Sequence, residues 1–245
     1  MLDDLPAGYG LFAEDGLIAR LRDLTRTDWE AYIGHDFVRG LGRGDLPRPA
    51  FRHYLIQDYL FLIQFARAYA LAAFKAETLD DMRAAAETLR GLTDTEMKLH
   101  VRTCAGWGLT EAQMAATPED LPTIAYTRFV IDAGLKGDLL DLLVALSPCV
   151  VGYGEIGLRL KAAAVALPEG DAYRDWIEAY SGEEYLAIAR AAADQIDRVW
   201  RERFNLSEAE LAEHWPGPAF LVLTALPPTP PPHTPQHPLT VFAFR

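Results

Sequence analysis

The stretch AFRHYLIQDYLFLIQFARAYALAAFKA, Ala50 to Ala76, decides the fold class. Its Ala, Leu, Phe and Tyr side chains recur at helical spacing and leave the middle apolar on nearly every side. A helix of that character belongs at the centre of a helical fold. Pro47 and Pro49 introduce it, at positions where a missing N–H costs nothing. Outward from this segment the periodicity stays helical from about residue 10 to 215, without a convincing alternating strand. Leu17, Leu21, Leu24 and Trp29 sketch one amphipathic helix ending near Gly34. Thr78 to Thr103 is the next helix, with Asp80 and Asp81 suited to its positive N-terminal end, and Gly106 and Gly108 break it. Leu109 to Ala115 reads as a short helix and Pro118 to Pro122 as a loop. Ile124 to Ala133, Gly137 to Leu146, a segment through Cys149 to Ala166, Tyr173 to Tyr180 and Gly182 to Arg203 complete the series. Short connections between helices are the mark of an up-and-down all-α bundle.

The composition bounds what such a fold can do. The 245 residues can bury a substantial core, and half of them are hydrophobic. A net charge of −12 with no basic patch argues against nucleic-acid partners. The only two cysteines, Cys104 and Cys149, make no disulfide framework, so a reducing cytoplasm is expected. The N-terminus lacks the basic-then-apolar pattern of a secretion signal, and no apolar run is expected to reach the ~20 residues of a membrane helix. The last thirty residues differ in kind. Pro216 to Arg245 holds nine of the sixteen prolines, no Asp, Glu or Lys, and one Arg. Helix cannot persist through Pro227 to Pro232, yet Phe220 to Leu223 and Val241 to Phe244 are too apolar for a solvated linker. The change suggests an altered C-terminus, such as a shifted reading frame, following a single domain over residues 1–215.

Three groups of residues carry potential chemistry. In Ser147-Pro148-Cys149-Val150-Val151-Gly152-Tyr153-Gly154-Glu155-Ile156-Gly157, serine can cap a helix that proline opens. Cys149 then sits in a first turn, where unpaired N–H groups favour a thiolate, with Tyr153 on the same face. The competing reading is a proline kink in a core helix holding a buried, inert cysteine. Asp58 lies in the most apolar helix, where an unpaired carboxylate is costly, with Phe61 three residues on. Carboxylate and ring together suit a flat heterocycle bearing amidine-like donors, while pairing with Arg67 or a tyrosine hydroxyl gives a structural role. Glu96 and His100, four apart, have the spacing of one metal-binding face, a pattern equally common on solvated helices. Tyr126, Tyr153 and Tyr180, taken singly, are core aromatics with bonded hydroxyls.

In order and spacing, these segments resemble the TenA family, also called thiaminase II or aminopyrimidine aminohydrolase. The resemblance runs from about Asp28 to Arg203 through His35-Asp36-Phe37-Val38-Arg39-Gly40-Leu41, Tyr54-Leu55-Ile56-Gln57-Asp58-Tyr59-Leu60 and Phe65-Ala66-Arg67-Ala68. It continues through Glu96 to His100, Trp107-Gly108-Leu109, Ala125-Tyr126-Thr127, Pro148-Cys149 with Tyr153 to Gly157, and Trp176 to Tyr180. It implies a heme-oxygenase-like all-α bundle, a homotetramer, acting in thiamin salvage. The family converts 4-amino-5-aminomethyl-2-methylpyrimidine to the hydroxymethyl pyrimidine, and some members cleave thiamin. Residue by residue, Cys149 falls on the nucleophile and Asp58 on the carboxylate that holds the aminopyrimidine. Tyr126, Tyr153 and Tyr180 fall on pocket tyrosines, and Phe61 on a pocket position often filled by tyrosine. No metal or organic cofactor is implied. The small-molecule partner is an aminopyrimidine or thiamin.

One departure stands out. The family places a proton-donating glutamate in its last helix, ahead of a Phe-Trp pair. Phe220 to Leu226 contains no acid, and Glu208, Glu210 and Glu213 precede Trp215 without the motif's spacing. Glu155 is near Cys149 in sequence but is not the family's donor, so no general acid is assigned. Two alternatives follow: a metal-dependent oxidase of the same bundle class using Glu96 and His100, and a non-catalytic pyrimidine- or thiamin-binding protein.

Overall fold

The computed structural model describes residues 7–163, 167–168 and 170–204. Among them all regular structure is helical and no strand occurs, as the periodicity requires. A 3-10 turn, Ala7–Gly10, precedes α1 (Leu17–Leu24), α2 (Arg26–Ile33), α3 (Asp36–Arg43), α4 (Arg48–Lys75) and α5 (Leu79–Gly91). A π-helical segment, Leu92–Glu96, joins α5 to α6 (Met97–Ala105), followed by α7 (Glu111–Ala115), α8 (Leu121–Lys136) and α9 (Leu139–Ser147). A second π-helical segment, Pro148–Gly152, joins α9 to α10 (Tyr153–Ala163), and α11 (Ala172–Ser181) and α12 (Glu183–Phe204) follow. The tail 216–245, with Glu208, Glu210, Glu213 and Trp215, lies outside the described residues.

Several boundaries differ from the periodic reading. The expected single helix from Leu17 to Gly34 is two, because Thr25 leaves helical geometry and its hydroxyl turns back onto the Leu21 carbonyl at 2.8 Å. His35 opens the unanticipated α3, its Nδ1 accepting from the Phe37 N–H at 3.1 Å. Pro122 lies in the first turn of α8 rather than in a loop, where its missing N–H leaves no bond unmade. The helical run Leu139–Ala163 is, among the described helices, the one long and apolar enough to cross a membrane. This corrects the expectation that no segment reaches that length. The run is buried within the fold, as the core helix of a soluble protein is.

The described residues fall into two compact units, 7–46 with 143–204, and 47–142. In the second, α4 is central, with α5, α6, α7 and α8 packed on it. Phe51, Leu55, Leu62 and Phe65 are buried along α4, each such side chain contributing about 1.5–3 kcal/mol when fully removed from water. Gln57, fully buried, ties α8 to α4. Its amide donates to the Pro118 carbonyl at 3.0 Å and accepts from the Asp120 N–H at 2.9 Å and the Thr123 hydroxyl at 3.1 Å. That anchor fixes the first turn of α8, and Tyr126 stands one turn further on.

In the other unit, α10 is central, with α2, α3, α11 and α12 against it and α1 on α12. Glu155 on α10 is fully buried and receives Arg22 Nη2 at 2.8 Å, Trp29 Nε1 at 2.8 Å and Arg159 Nη2 at 3.2 Å. These bonds join α10 to α1 and α2 and supply the partners that a buried carboxylate needs. Gly157 lets α11 approach, since a Cβ there meets the Tyr180 carbonyl oxygen at 2.4 Å.

Candidate active site

Asp58 is buried on α4, 5 % exposed, and its partner is His100 on α6. His100 Nε2 lies 2.6 Å from Asp58 Oδ2, and the Tyr54 hydroxyl donates to the same oxygen at 3.4 Å. His100 Nδ1 lies 3.0 Å from the carbonyl oxygen of Glu96. A carbonyl and a carboxylate both accept, so both ring nitrogens donate and His100 is an imidazolium. Burial opposes that charge, but the Asp58 hydrogen bond and negative charge outweigh it and raise the His100 pKa from its ordinary 6.5 to about 9. Asp58 Oδ1 takes no hydrogen bond from the described residues, and so remains available as an acceptor.

The structural alternative for Asp58 is half right. A tyrosine hydroxyl does reach it, but Arg67 bonds Gln64 instead, at 2.8 Å on an exposed surface. Glu96 and His100 do meet, although through the Glu96 carbonyl rather than its carboxylate. Both His100 nitrogens are engaged there, and no group of three or more metal-ligating side chains occurs among the described residues.

Next to Asp58 along α4 stands an aromatic wall. Phe61 is stacked on Tyr126 of α8 at 6.0 Å between ring centres with planes 26° apart, and contacts Phe65 at 4.9 Å. Asp58, Phe61 and Tyr126 thus belong to one unit and offer an anionic acceptor next to flat apolar faces.

Cys149, Tyr153 and Tyr180 belong to the other unit. The Tyr153 and Tyr180 rings meet edge to face at 5.1 Å, Trp176 packs on Tyr180 at 4.5 Å, and Tyr185 closes the group against Tyr180 at 4.8 Å. Cys149 forms no disulfide and is 7 % exposed. The helix-start reading of its neighbourhood is corrected. Ser147 has helical φ and ψ (−56°, −35°) and makes no capping bond, and the helix runs on from α9 through Pro148 into α10. Pro148 therefore lies inside a continuous helical run, which turns π-helical over Pro148–Gly152. Cys149 thus does not lie in the first turn of a helix, where unpaired amides gather.

Sequence reasoning missed His100 as the partner of Asp58, and also Tyr54, Tyr32 and Tyr185. Tyr54 lies four residues before Asp58, a spacing that signals contact. His100 is 42 residues from Asp58, and Tyr185 is 36 from Cys149, so no local periodicity connects either pair.

The sequence pattern of the TENA/THI-4/PQQC family matches residues 23–213. The chain is 36% identical over 197 residues to an uncharacterized protein of Haemophilus influenzae, covering 80% of this chain and 89% of that one. It is 33% identical over 195 residues to an aminopyrimidine aminohydrolase of Halalkalibacterium halodurans, covering 80% and 85%. Among solved structures, a TenA family transcription regulator from Silicibacter sp. TM1040 aligns with a TM-score of 0.73 at 45% identity, over 80% of this chain and 88% of that one. An unbroken family match over most of the chain, together with close likeness in both sequence and fold, makes this protein a member of the TENA/THI-4/PQQC family.

Proposed function

We propose that this chain is an aminopyrimidine aminohydrolase of thiamin salvage, converting 4-amino-5-aminomethyl-2-methylpyrimidine to the hydroxymethyl pyrimidine. The observation that carries the reading is Asp58. It is a buried carboxylate with one oxygen held by His100 and Tyr54, the other oxygen available, and an aromatic wall next to it. Such a group accepts hydrogen bonds from the 4-amino edge of the ring and selects one orientation, while Phe61 and Tyr126 cover its faces. The family resemblance assigns Tyr153, Tyr180 and Cys149 to the same substrate. The Cys149 thiolate adds to carbon 6, and the amine departs as ammonia from the methylene on carbon 5. Water adds to the resulting exocyclic methylene, the thiolate leaves, and the ring regains its aromaticity. None of these steps calls for a metal or an organic cofactor.

Three further points belong to this reading. The family match is unbroken from 23 to 213, which supports a single domain over residues 1–215. Phe74 (81 % exposed), Leu121 (77 %) and Leu135 (63 %) place large apolar side chains on the outer surface of α4 and α8, which supports self-association, as a homotetramer. Neither cysteine forms a disulfide, which supports a reducing cytoplasm.

The test is ammonia release from the aminomethyl pyrimidine by the purified full-length chain. Cys149→Ala is expected to lower turnover by at least about a thousandfold, as loss of a covalent nucleophile does. Unchanged turnover in that variant rules out the covalent route. The absence of an acid from Phe220 to Leu226 favours one second reading, a pyrimidine- or thiamin-binding protein without turnover. Calorimetric binding with no ammonia released would single it out.

A further inference from the structure

Around Cys149, side-chain hydroxyls from the same unit donate to backbone carbonyls of the π-helical segment and its approach, in addition to bonds the segment makes itself, such as that from the Tyr153 N–H to the Val150 carbonyl. Pro148 has no N–H to offer the Val144 carbonyl, and Ser147 Oγ donates to it at 2.8 Å. The Tyr32 hydroxyl, from α2, donates to the Pro148 carbonyl at 3.1 Å. The Tyr185 hydroxyl, from α12, shares its proton between the carbonyls of Cys149 at 3.2 Å and Val150 at 3.1 Å. Three consecutive carbonyls, those of residues 148, 149 and 150, are therefore held by two tyrosines from two other helices. A regular α-helix needs no outside donors in its interior. Gly152 makes room for this arrangement, because a Cβ there lies 2.7 Å from Tyr32 Cε1.

We propose that Tyr185, assisted by Tyr32, is a positioning residue that holds the π-helical turn in the one register that presents Cys149 for attack. The proposal rests on the nucleophilic role given to Cys149 above. Each hydroxyl adds a bond from another helix to this turn, so without the hydroxyls the turn loses that restraint and shifts toward other backbone arrangements. Each of these points the Cys149 side chain elsewhere, since one register step turns a helical residue by about 100°. Tyr185 also packs its ring edge on Tyr180. Tyr185→Phe keeps that contact and removes only the hydroxyl.

The test compares the full-length protein with Tyr185→Phe and, separately, Tyr32→Phe. It measures iodoacetamide alkylation of each cysteine by mass spectrometry alongside ammonia release from the aminomethyl pyrimidine. Cys104 is the internal reference, fully buried on α6, with burial pushing its thiol up to about 11. The expected result for Tyr185→Phe is Cys149 alkylation faster by about fivefold, with Cys104 unmoved and kcat lower by about fivefold at constant KM. Tyr32→Phe is expected to act in the same direction. Faster alkylation of both cysteines together means general loosening and overturns the proposal. Unchanged alkylation of Cys149, or selective exposure of Cys149 with kcat unmoved in an active enzyme, overturns it equally. If the unsubstituted protein releases no ammonia, the proposed reaction fails on that result alone, and the paired alkylation rates still decide whether the tyrosines hold Cys149.

Discussion

His100 Nε2 and Asp58 Oδ2 lie 2.6 Å apart, each side chain 6 % exposed, with the Glu96 carbonyl holding the far side of the imidazole ring. The pair is a short, charge-assisted hydrogen bond out of reach of bulk water, the setting in which such bonds are strongest.

Its first consequence is a pH-dependent stability. The folded-state pKa of His100 is raised from 6.5 to about 9, against burial, by the Asp58 hydrogen bond and charge. The fold thus favours the protonated ring. The stabilisation is fully present below about pH 6.5 and is lost as the pH rises through about 9, on the order of 3 kcal/mol. Urea midpoints measured from pH 6 to pH 10 are expected to fall across that window, and His100→Gln is expected to flatten the decline.

Asp58→Asn removes the charge while keeping the shape. The hydroxymethyl pyrimidine product is expected to bind at least about tenfold more weakly, because a neutral amide is a poorer partner for the 4-amino edge. Titration calorimetry reads this directly. Equal affinity in the two proteins removes Asp58 from the ligand-binding role.

Gly157→Ala tests the approach of α11 to α10. The added Cβ falls 2.4 Å from the Tyr180 carbonyl oxygen and 2.9 Å from the Ser181 nitrogen, both backbone atoms that cannot rotate aside. Overpacking of this kind costs about 1–3 kcal/mol or more, so a clear fall in thermal midpoint is expected. Tyr180 is carried away with the helix, and turnover falls with stability.

Glu155→Ala leaves Arg22 buried without its closest carboxylate and the Trp29 N–H without an acceptor. Breaking a buried pair by removing one partner costs about 3–5 kcal/mol, and chemical denaturation is expected to show a loss of that size. Glu155→Gln keeps an acceptor for Trp29 and is expected to recover part of it.

The helices α4, α11 and α12 were legible to within a few residues, because apolar side chains repeat along each one, while the single helix expected from Thr78 to Thr103 is α5 and α6 joined by the π-helical segment Leu92–Glu96. The joints were less legible. Thr25 divides α1 from α2 by returning its hydroxyl to the Leu21 carbonyl, a local choice that hydrophobic spacing does not encode. Asp58 drew notice through the cost of a carboxylate in an apolar helix, but the identity of its partner did not. Nothing in the spacing of Glu96 and His100 reveals that the histidine turns its far nitrogen to α4.

By itself, the sequence determined the all-α class, the central place of α4, and which side chains are candidates for chemistry, because helical periodicity and burial cost are properties of a residue and its near neighbours. Tertiary structure alone decided two matters. Asp58 is paired with a histidine 42 residues away, and Pro148 lies inside a helix rather than starting one. The physical reason is the same in both. A buried acceptor takes whichever donor packing brings within hydrogen-bond distance. Here the donors are His100 for Asp58, and Tyr32 and Tyr185 for the carbonyls around Cys149.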